Sequence, residues 1–461
     1  MSMTQQVNIN QVLDDTYVVL LAGGQGSRLH ELTQSRAKPA LEFGCNHRII
    51  DFPLSNCANS GLKKIGVVTQ YKAQSLIRHL VNGWANYQRG FNTFLEIMPA
   101  SQQINADWYT GTANALYQNL EFLKSTKAKF ILVLSGDHIY KMDYRTLLTE
   151  HVRSKADMTV SCIEVSKNEA AGQFGVMNVD SKDRVTSFEE KPSNPPSLQD
   201  SPGKVLASMG NYVFNTDFLV QQLEKDAKDL ASNHDFGKDI IPNIIQQFHI
   251  QAFRFHANDG DTTAYWKDVG TIDAYWQANM ALLAANPAAK VNDVNWPIWS
   301  NPSCNAPTQI ISDELGRSAR IKNSLLANGT TLLVCSISGS LLCSNVTVDE
   351  GANVIDAVIL PNVKIGKNAV LTRCIIDNDC HIPAGLKIGL NMQEDRKRGF
   401  RISAKGIRLV NQSMIDKLAY VQPQPNLYQS SEKSAAETDR AANMLPPLVE
   451  REKENTHIST F

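Results

Sequence analysis

Gly23, Gly24 and Gly26, followed by Arg28 and later by Lys38, have the types and spacing to hold phosphate. They lie in VVLLAGGQGSRLHELTQSRAKP, residues 18–39. Glycine lets a backbone turn sharply and approach a ligand closely, because no Cβ stands in the way. The N–H groups exposed in such a turn suit phosphate oxygens. An arginine adds a planar, bidentate guanidinium and a lysine a point charge. The loop is neither of the two common phosphate loops. Walker A requires Gly-Lys-Ser/Thr where this chain has Gly26-Ser27-Arg28, and the dinucleotide fingerprint requires a small residue where it has Leu29. A bare Gly-Gly-x-Gly is also a plain strand-to-helix turn. Two carboxylates suggest a second chemistry. Asp137 follows a buried apolar run in Ser135-Gly136-Asp137-His138, and Asp268 lies in Trp266-Lys267-Asp268-Val269-Gly270-Thr271. Carboxylates from distant strand ends suit magnesium, which takes few protein oxygens and completes its shell with water and phosphate. Each alone is also a good turn or helix cap.

GGxGxRL followed at this spacing by T-x-x-x-x-K-P resembles the nucleotidyltransferase loop of sugar-1-phosphate pyrophosphorylases. With NHRIIDFPLSN at 46–56, the chain resembles the bacterial glucose-1-phosphate adenylyltransferases. The resemblance implies that ATP and α-D-glucose 1-phosphate give ADP-glucose and diphosphate, the activated-glucose step of glycogen synthesis. Both reactants are anionic, so the chemistry calls for positioning and charge neutralisation and needs no protein nucleophile. The family's motifs then imply roles. Arg28 and Lys38 serve the β,γ-phosphates, and Gly23, Gly24, Gly26, Gly111 and Thr112 approach ATP. Asp137 in GDHIY and Asp268 in WKDVGT hold Mg2+. Lys191 in FEEKP binds the sugar phosphate and Glu190 the sugar hydroxyls. Tyr109, Gly175 in FGVM, Ser208 in ASMG, Asp235 and Phe236 in HDFGKD, and Trp266 complete the sugar pocket. Read singly, these are a core tyrosine, a turn glycine, an ordinary serine and a plain helix start. His138 reads as structural, since the nucleophile is already ionised.

The resemblance further implies a homotetramer regulated by anions, a sugar-phosphate activator and an AMP-type inhibitor, bound between the catalytic domain and a C-terminal β-helix. Arg36 and Arg48 match basic effector positions. Arg396-Lys397-Arg398 and Arg401 are either additions to that site or a solvated face. Many relatives have Arg where this chain has Gln25, and those activated by fructose 1,6-bisphosphate have Lys where it has Ser35. Two lost cations imply a weaker or altered activator response.

The elements that must position these residues follow from periodicity. Apolar runs at 18–21, 64–69, 130–134, 158–165, 212–215 and 252–256 read as strands, and the spacing at 73–80 and 114–123 reads as helix. Alternating strands and helices imply an α/β fold with a mostly parallel sheet, Rossmann-like, covered on both faces. Ligands in such sheets gather at the carboxyl ends of strands, where the glycine loop and Asp137 both fall. This nucleotidyltransferase domain is expected over 1–285, with a Pro- and Asn-rich linker at 286–307. Over 308–412, Leu342, Val348, Val354, Leu360, Ile365, Leu371, Ile376, Ile382 and Ile388 recur at about six residues, the period of a hexapeptide repeat. An ordinary β-sandwich would not keep that period. A left-handed parallel β-helix is expected, each coil burying its apolar corner only against its neighbours. Such coils often carry acyltransferases, but His381 is the single histidine in them, so a structural, oligomeric role is favoured. Residues 413–461 are polar and charged and are expected to form a mobile tail.

Bulk properties bound the rest. The chain has 461 residues, 43% of them apolar, enough for two domains and a substantial core. A net charge of −1 gives no reason to expect nucleic acid. No apolar stretch is long enough to span a bilayer, and MSMTQQVNINQVLDD lacks the features of a secretory or transit signal. The 8 cysteines are scattered without CxxC, which fits reduced thiols in a cytoplasmic protein and no zinc site. Uridylyl or guanylyl transfer on the same scaffold stays open, since base choice rests on a few pocket contacts. A non-catalytic regulatory subunit is opposed by the intact set of Arg28, Lys38, Asp137 and Lys191.

Overall fold

Apolar, β-branched runs without polar alternation form strands covered on both faces. In the computed structural model, which describes residues 7–84, 87, 93–100, 108–198, 201–256, 264–300 and 305–421, runs of this kind form the centre of a nine-stranded sheet. Its strands are β1 (Thr16–Leu21), β2 (Lys64–Thr69), β3 (Phe94–Pro99), β4 (Phe130–Ser135), β5 (Met158–Ser166), β6 (Val176–Val179), β7 (Val185–Glu189), β8 (Lys204–Asn215) and β9 (Ile250–Arg254). β1 lies between β2 and β4 and is parallel to both, and β3 extends this parallel half beyond β2. Next to β4 the sheet turns antiparallel, because β8 runs against β4, β5 and β6. Alternate residues of β1 enter different cores. Tyr17 and Val19 pack on one face and Val18 and Leu20 on the other, as the period of two requires.

Two expectations need correction. The helix read over 114–123 is two helices, Thr112–Tyr117 and Leu120–Ser125. Asn119 at the break donates its side-chain amide to Ala115 O at 2.8 Å, competing with the helical ladder, and to Tyr109 Oη at 3.0 Å. The chain beyond 413 also does not open as a tail. Gln412–Val421 is helical, and Met414 and Ile415 are buried on the core of the coils. Residues 422–461 lie outside the described residues.

The C-terminal region, 309–410, forms three stacks of short strands, one per side of a parallel β-helix. Thr347 pairs with Lys364 and Lys364 with His381, so successive coils there are offset by 17 residues. The six-residue step is therefore shortened to five once per coil, from Val354 to Ile359 and from Leu371 to Ile376. At the next corner Asn345, Asn362 and Asp379 stand above one another with positive φ, and each asparagine amide donates to the next residue of this ladder at 3.2 and 2.9 Å. The coils pack on the first half. Phe43, Tyr275 and Leu282 share a cluster with Leu341, Val358, Ile375 and Leu409. Linker residues are pinned too, for Trp296 Nε1 donates to Asn56 and Trp299 Nε1 to Asn59, both on helix Asp51–Asn59. Among the described residues no helix is long and apolar enough to cross a membrane.

Candidate active site

β1 ends at Leu21 and the chain enters the glycine loop. Gly26 is left-handed, with φ 61°, and a Cβ there would lie 3.0 Å from both Thr33 Cγ2 and Lys38 Cβ. Glycine is required by conformation and by space, and the Thr33 hydroxyl locks the turn by donating to Gly26 O at 2.9 Å. The loop thus leads its own lysine back beneath itself.

Just past β4, strand His138–Tyr140 pairs antiparallel with Trp266–Asp268, placing Asp268 opposite His138. That register brings the carboxylates of Asp137 and Asp268 together. Lys38, only 5% exposed, sets its ammonium between them, 2.8 Å from Asp137 Oδ2 and 2.6 Å from Asp268 Oδ1. The Ser135 hydroxyl also donates to Asp137. Burial pushes both carboxyls up, but the Lys38 and His138 charges outweigh it and hold them below the ordinary carboxylate range. Burial opposes the Lys38 charge in turn, and the two aspartates raise its pKa above the usual value. Ligand atoms of Asp137, His138 and Asp268 lie within 4.8 Å of one another. Hard oxygen donors around a point already occupied by positive charge fit magnesium. His138 packs its ring on Trp266 with centroids 5.0 Å apart, and its Nε2 lies 3.5 Å from Asp137.

A cavity of about 520 Å³ opens above this pair. Gly23, Gly24, Gly26, Arg28, Lys38, Tyr109, Gly111, Thr112, Asp137, Glu190, Asp235 and Phe236 all line it. One wall is a weld between two segments. A Cβ on Gly111 would lie 2.2 Å from His234 O, and Ala113 N–H donates to that oxygen at 2.9 Å. The Thr112 hydroxyl donates to Asp235 and accepts from Phe236 N–H, at 3.0 and 3.1 Å, and Asp235 caps the turn Phe236–Ile240. Phe236 is buried against Tyr212 and Phe214. The Glu190 carboxylate stands between Gly175 and Gly237, each of whose would-be Cβ lies 2.7 Å from its Oε2. Lys191, half exposed, places its ammonium 3.1 Å from Glu190.

Gly175, Lys191, Ser208, Trp266 and Asp268 are not part of that lining. Ser208 is buried on β8, where its hydroxyl accepts from Gly210 N–H. Trp266, 5% exposed, is wedged between His138 and Phe174. Gln70 and Gly237 line the cavity unforeseen. Gly237 sits in the HDFGKD stretch that carried Asp235 and Phe236, so a signal existed. A lone glutamine has no spacing rule to reveal it. His381 lies exposed on a coil strand.

The arginines expected at an effector site are already engaged. Arg36 is no free cation; it is 5% exposed, with its guanidinium on Asp377 and Asn378 of the coils and 3.7 Å from Glu42. Burial opposes its charge, but Glu42 and Asp377 outweigh that. Arg48 shares Glu42 at 3.6 Å and donates to Ser75 O. Arg401 forms a two-point pair with Glu31 at 2.6 and 2.7 Å. The physical reason is charge balance, since two carboxylates stand against the two arginines.

Residues 17–285 match the family model for nucleotidyl transferases, and 306–410 match that for GlmU-like C-terminal hexapeptides. The chain is 48% identical over 410 residues to a glucose-1-phosphate adenylyltransferase of Teredinibacter turnerae, covering 89% of this chain and 97% of that protein. It is 49% identical over 407 residues to those of Saccharophagus degradans and Alteromonas mediterranea, covering 88% of this chain and 96% and 94% of theirs.

Proposed function

The chain belongs to the glucose-1-phosphate adenylyltransferase family, and from that premise we propose how its cleft performs the reaction. It catalyses the conversion of ATP and α-D-glucose 1-phosphate into ADP-α-D-glucose and diphosphate, for glycogen synthesis. The observation that carries the residue roles is convergence. The glycine loop, Asp137 and Glu190 line one cavity although they come from separate stretches of chain, with Asp268 joined to it through Lys38 and Lys191 through Glu190.

A phosphate oxygen of the sugar phosphate attacks the α-phosphorus of ATP in line, and diphosphate leaves. The barrier is one of bringing anions together, so alignment and fixed positive charge do the work. The triphosphate lies along Gly23, Gly24 and Gly26 and approaches Gly111 and Thr112, with Arg28 and Lys38 neutralising the leaving diphosphate. Lys191 holds the sugar phosphate and Glu190 orients the sugar hydroxyls, aided by Tyr109, Gly175, Ser208, Asp235 and Phe236. Asp137 and Asp268 would hold Mg2+, which when bound supplies positive charge against the phosphate oxygens.

The enzyme works as a cytoplasmic homotetramer with a catalytic domain over 1–285 and coils over 308–412. Among the described residues seven cysteines are free and buried, which supports a reducing compartment. It answers anionic effectors weakly, because Glu42 and Asp377 already balance Arg36 and Arg48. The test of substrate choice is diphosphate release with glucose 1-phosphate, magnesium and each nucleoside triphosphate in turn. ATP is expected to exceed the others at least about ten-fold in kcat/KM, and a preference for UTP or GTP would refute the assignment.

A further inference from the structure

The turn after helix Lys167–Ala170 is held from several sides. Gln173 N–H donates to Ala170 O at 3.0 Å, Gly172 N–H to Pro192 O at 2.9 Å, and Lys191 N–H to Phe174 O at 3.2 Å. The Phe174 ring packs on Trp266, with centroids 4.9 Å apart. The turn is thereby fixed both to the Glu190-Lys191 segment and to the strand that ends at Asp268. Lys267 adds a bridge to Glu169 at 2.6 Å.

From this anchored turn the Gln173 carboxamide reaches the glycine loop's arginine, and its Oε1 accepts from Arg28 Nη1 at 2.9 Å. Arg28 Nη2 lies 3.4 Å from Asp268. The room for that pose comes from Gly270, where a Cβ would fall 2.8 Å from Arg28 Nη2 and 2.8 Å from Asp268 Oδ1. Both terminal nitrogens of the guanidinium are therefore engaged by groups other than the loop that carries it. A triphosphate must take Arg28 from these partners. A neutral amide gives up a guanidinium to a polyanion readily, whereas a carboxylate in its place would compete through full charge.

We propose that Gln173 is a positioning residue for Arg28. It parks the guanidinium across the cleft, so that the arginine reaches the nucleotide by exchanging partners. The inference rests on Arg28 serving the triphosphate.

Gln173→Glu keeps the reach of the side chain and makes the acceptor anionic. It is expected to raise KM for ATP about ten-fold, with the change falling on that constant rather than on kcat or on KM for glucose 1-phosphate. Gln173→Ala removes the acceptor and is expected to tighten ATP binding to the sugar-free enzyme about three-fold by isothermal titration calorimetry. In an Arg28→Met background both effects should vanish. If Arg28→Met alone binds ATP as tightly as the native enzyme, the role given to Arg28 fails. If Arg28→Met weakens ATP binding but Gln173→Glu leaves KM for ATP within about two-fold, or its effect persists without Arg28, the proposal for Gln173 is overturned.

Discussion

Lys38 lies between two ionised aspartates, in a place where the three side chains sum to a single negative charge. Removing the ammonium leaves two like charges facing each other with little water. Lys38→Met is therefore expected to cost about 3–5 kcal/mol without divalent ions, as for a broken buried pair. Magnesium should restore part of that, because it can replace the missing positive charge. Thermal unfolding of the variant with and without magnesium checks this, and an equal response in native protein and variant would count against it. Asp137→Ala leaves Lys38 its partner Asp268, so its fold should persist while turnover falls at least about a hundred-fold. Another residue contributes to the pH dependence of stability on the mildly acidic side. His151 is buried in helix Tyr144–Ser154, paired with Thr159 at 2.8 Å and Asn215 at 3.3 Å, and burial pushes it down to about 4. Its folded pKa is depressed, so the neutral ring's contribution is complete above the ordinary value near 6.5 and is lost as pH falls from there toward 4. Roughly 3 kcal/mol should disappear over that window. Denaturant titrations across it should show a flatter profile in His151→Gln.

Two segments far apart in sequence meet at Gly111, where a Cβ would strike the carbonyl of His234 at 2.2 Å. The obstacle is backbone, which cannot swing aside as a long side chain can. Gly111→Ala should open the weld that holds Thr112 to Asp235 and Phe236. Activity is expected to fall at least about ten-fold, with a loss of stability of about 1–3 kcal/mol seen in thermal melts. Such joints mark the boundary of what a sequence discloses. The buried strands were legible because an apolar run must be enclosed, and β1, β2 and β4 appear where they were expected. The coils were legible because their period repeats. β3 was not foreseen, since its pattern mixes exposed Glu96 with buried Leu95 and Met98 at a sheet edge. The break at Asn119 depends on a side-chain bond that no propensity shows. In the site, the glycine loop, Asp137, Glu190, Asp235 and Phe236 line one cavity, whereas Gly175, Lys191, Ser208, Trp266 and Asp268 stand outside its lining. The occupation of the Asp137–Asp268 gap by Lys38, the enclosure of Trp266 and the neutralisation of Arg36 arise from tertiary pairing, which spacing along a chain does not encode.

The sheet domain and the coils meet through an apolar cluster and a small set of charges. Arg36 comes from the loop that also carries Lys38, and Asp377 comes from the coils, so their ion pair joins the catalytic loop to the β-helix. An anion seeking Arg36 must displace Asp377 or Glu42, and it gains only the difference between its own attraction and theirs. Fructose 1,6-bisphosphate should therefore activate the native enzyme weakly and only at high concentration. Asp377→Ala removes the coil's charge on Arg36 and leaves the neutral Asn378 carboxamide, while Glu42 still keeps Arg36 from standing alone in a buried place. The cost should then be about 1–3 kcal/mol, below that of a fully orphaned charge. The same change exposes Arg36 to an added dianion, so the concentration giving half-maximal activation should fall at least about five-fold, a coupling of the usual allosteric size. Turnover measured against fructose 1,6-bisphosphate in native protein and variant decides the matter. A native enzyme that responds as strongly and as tightly as the variant would mean that these carboxylates do not restrain the arginines.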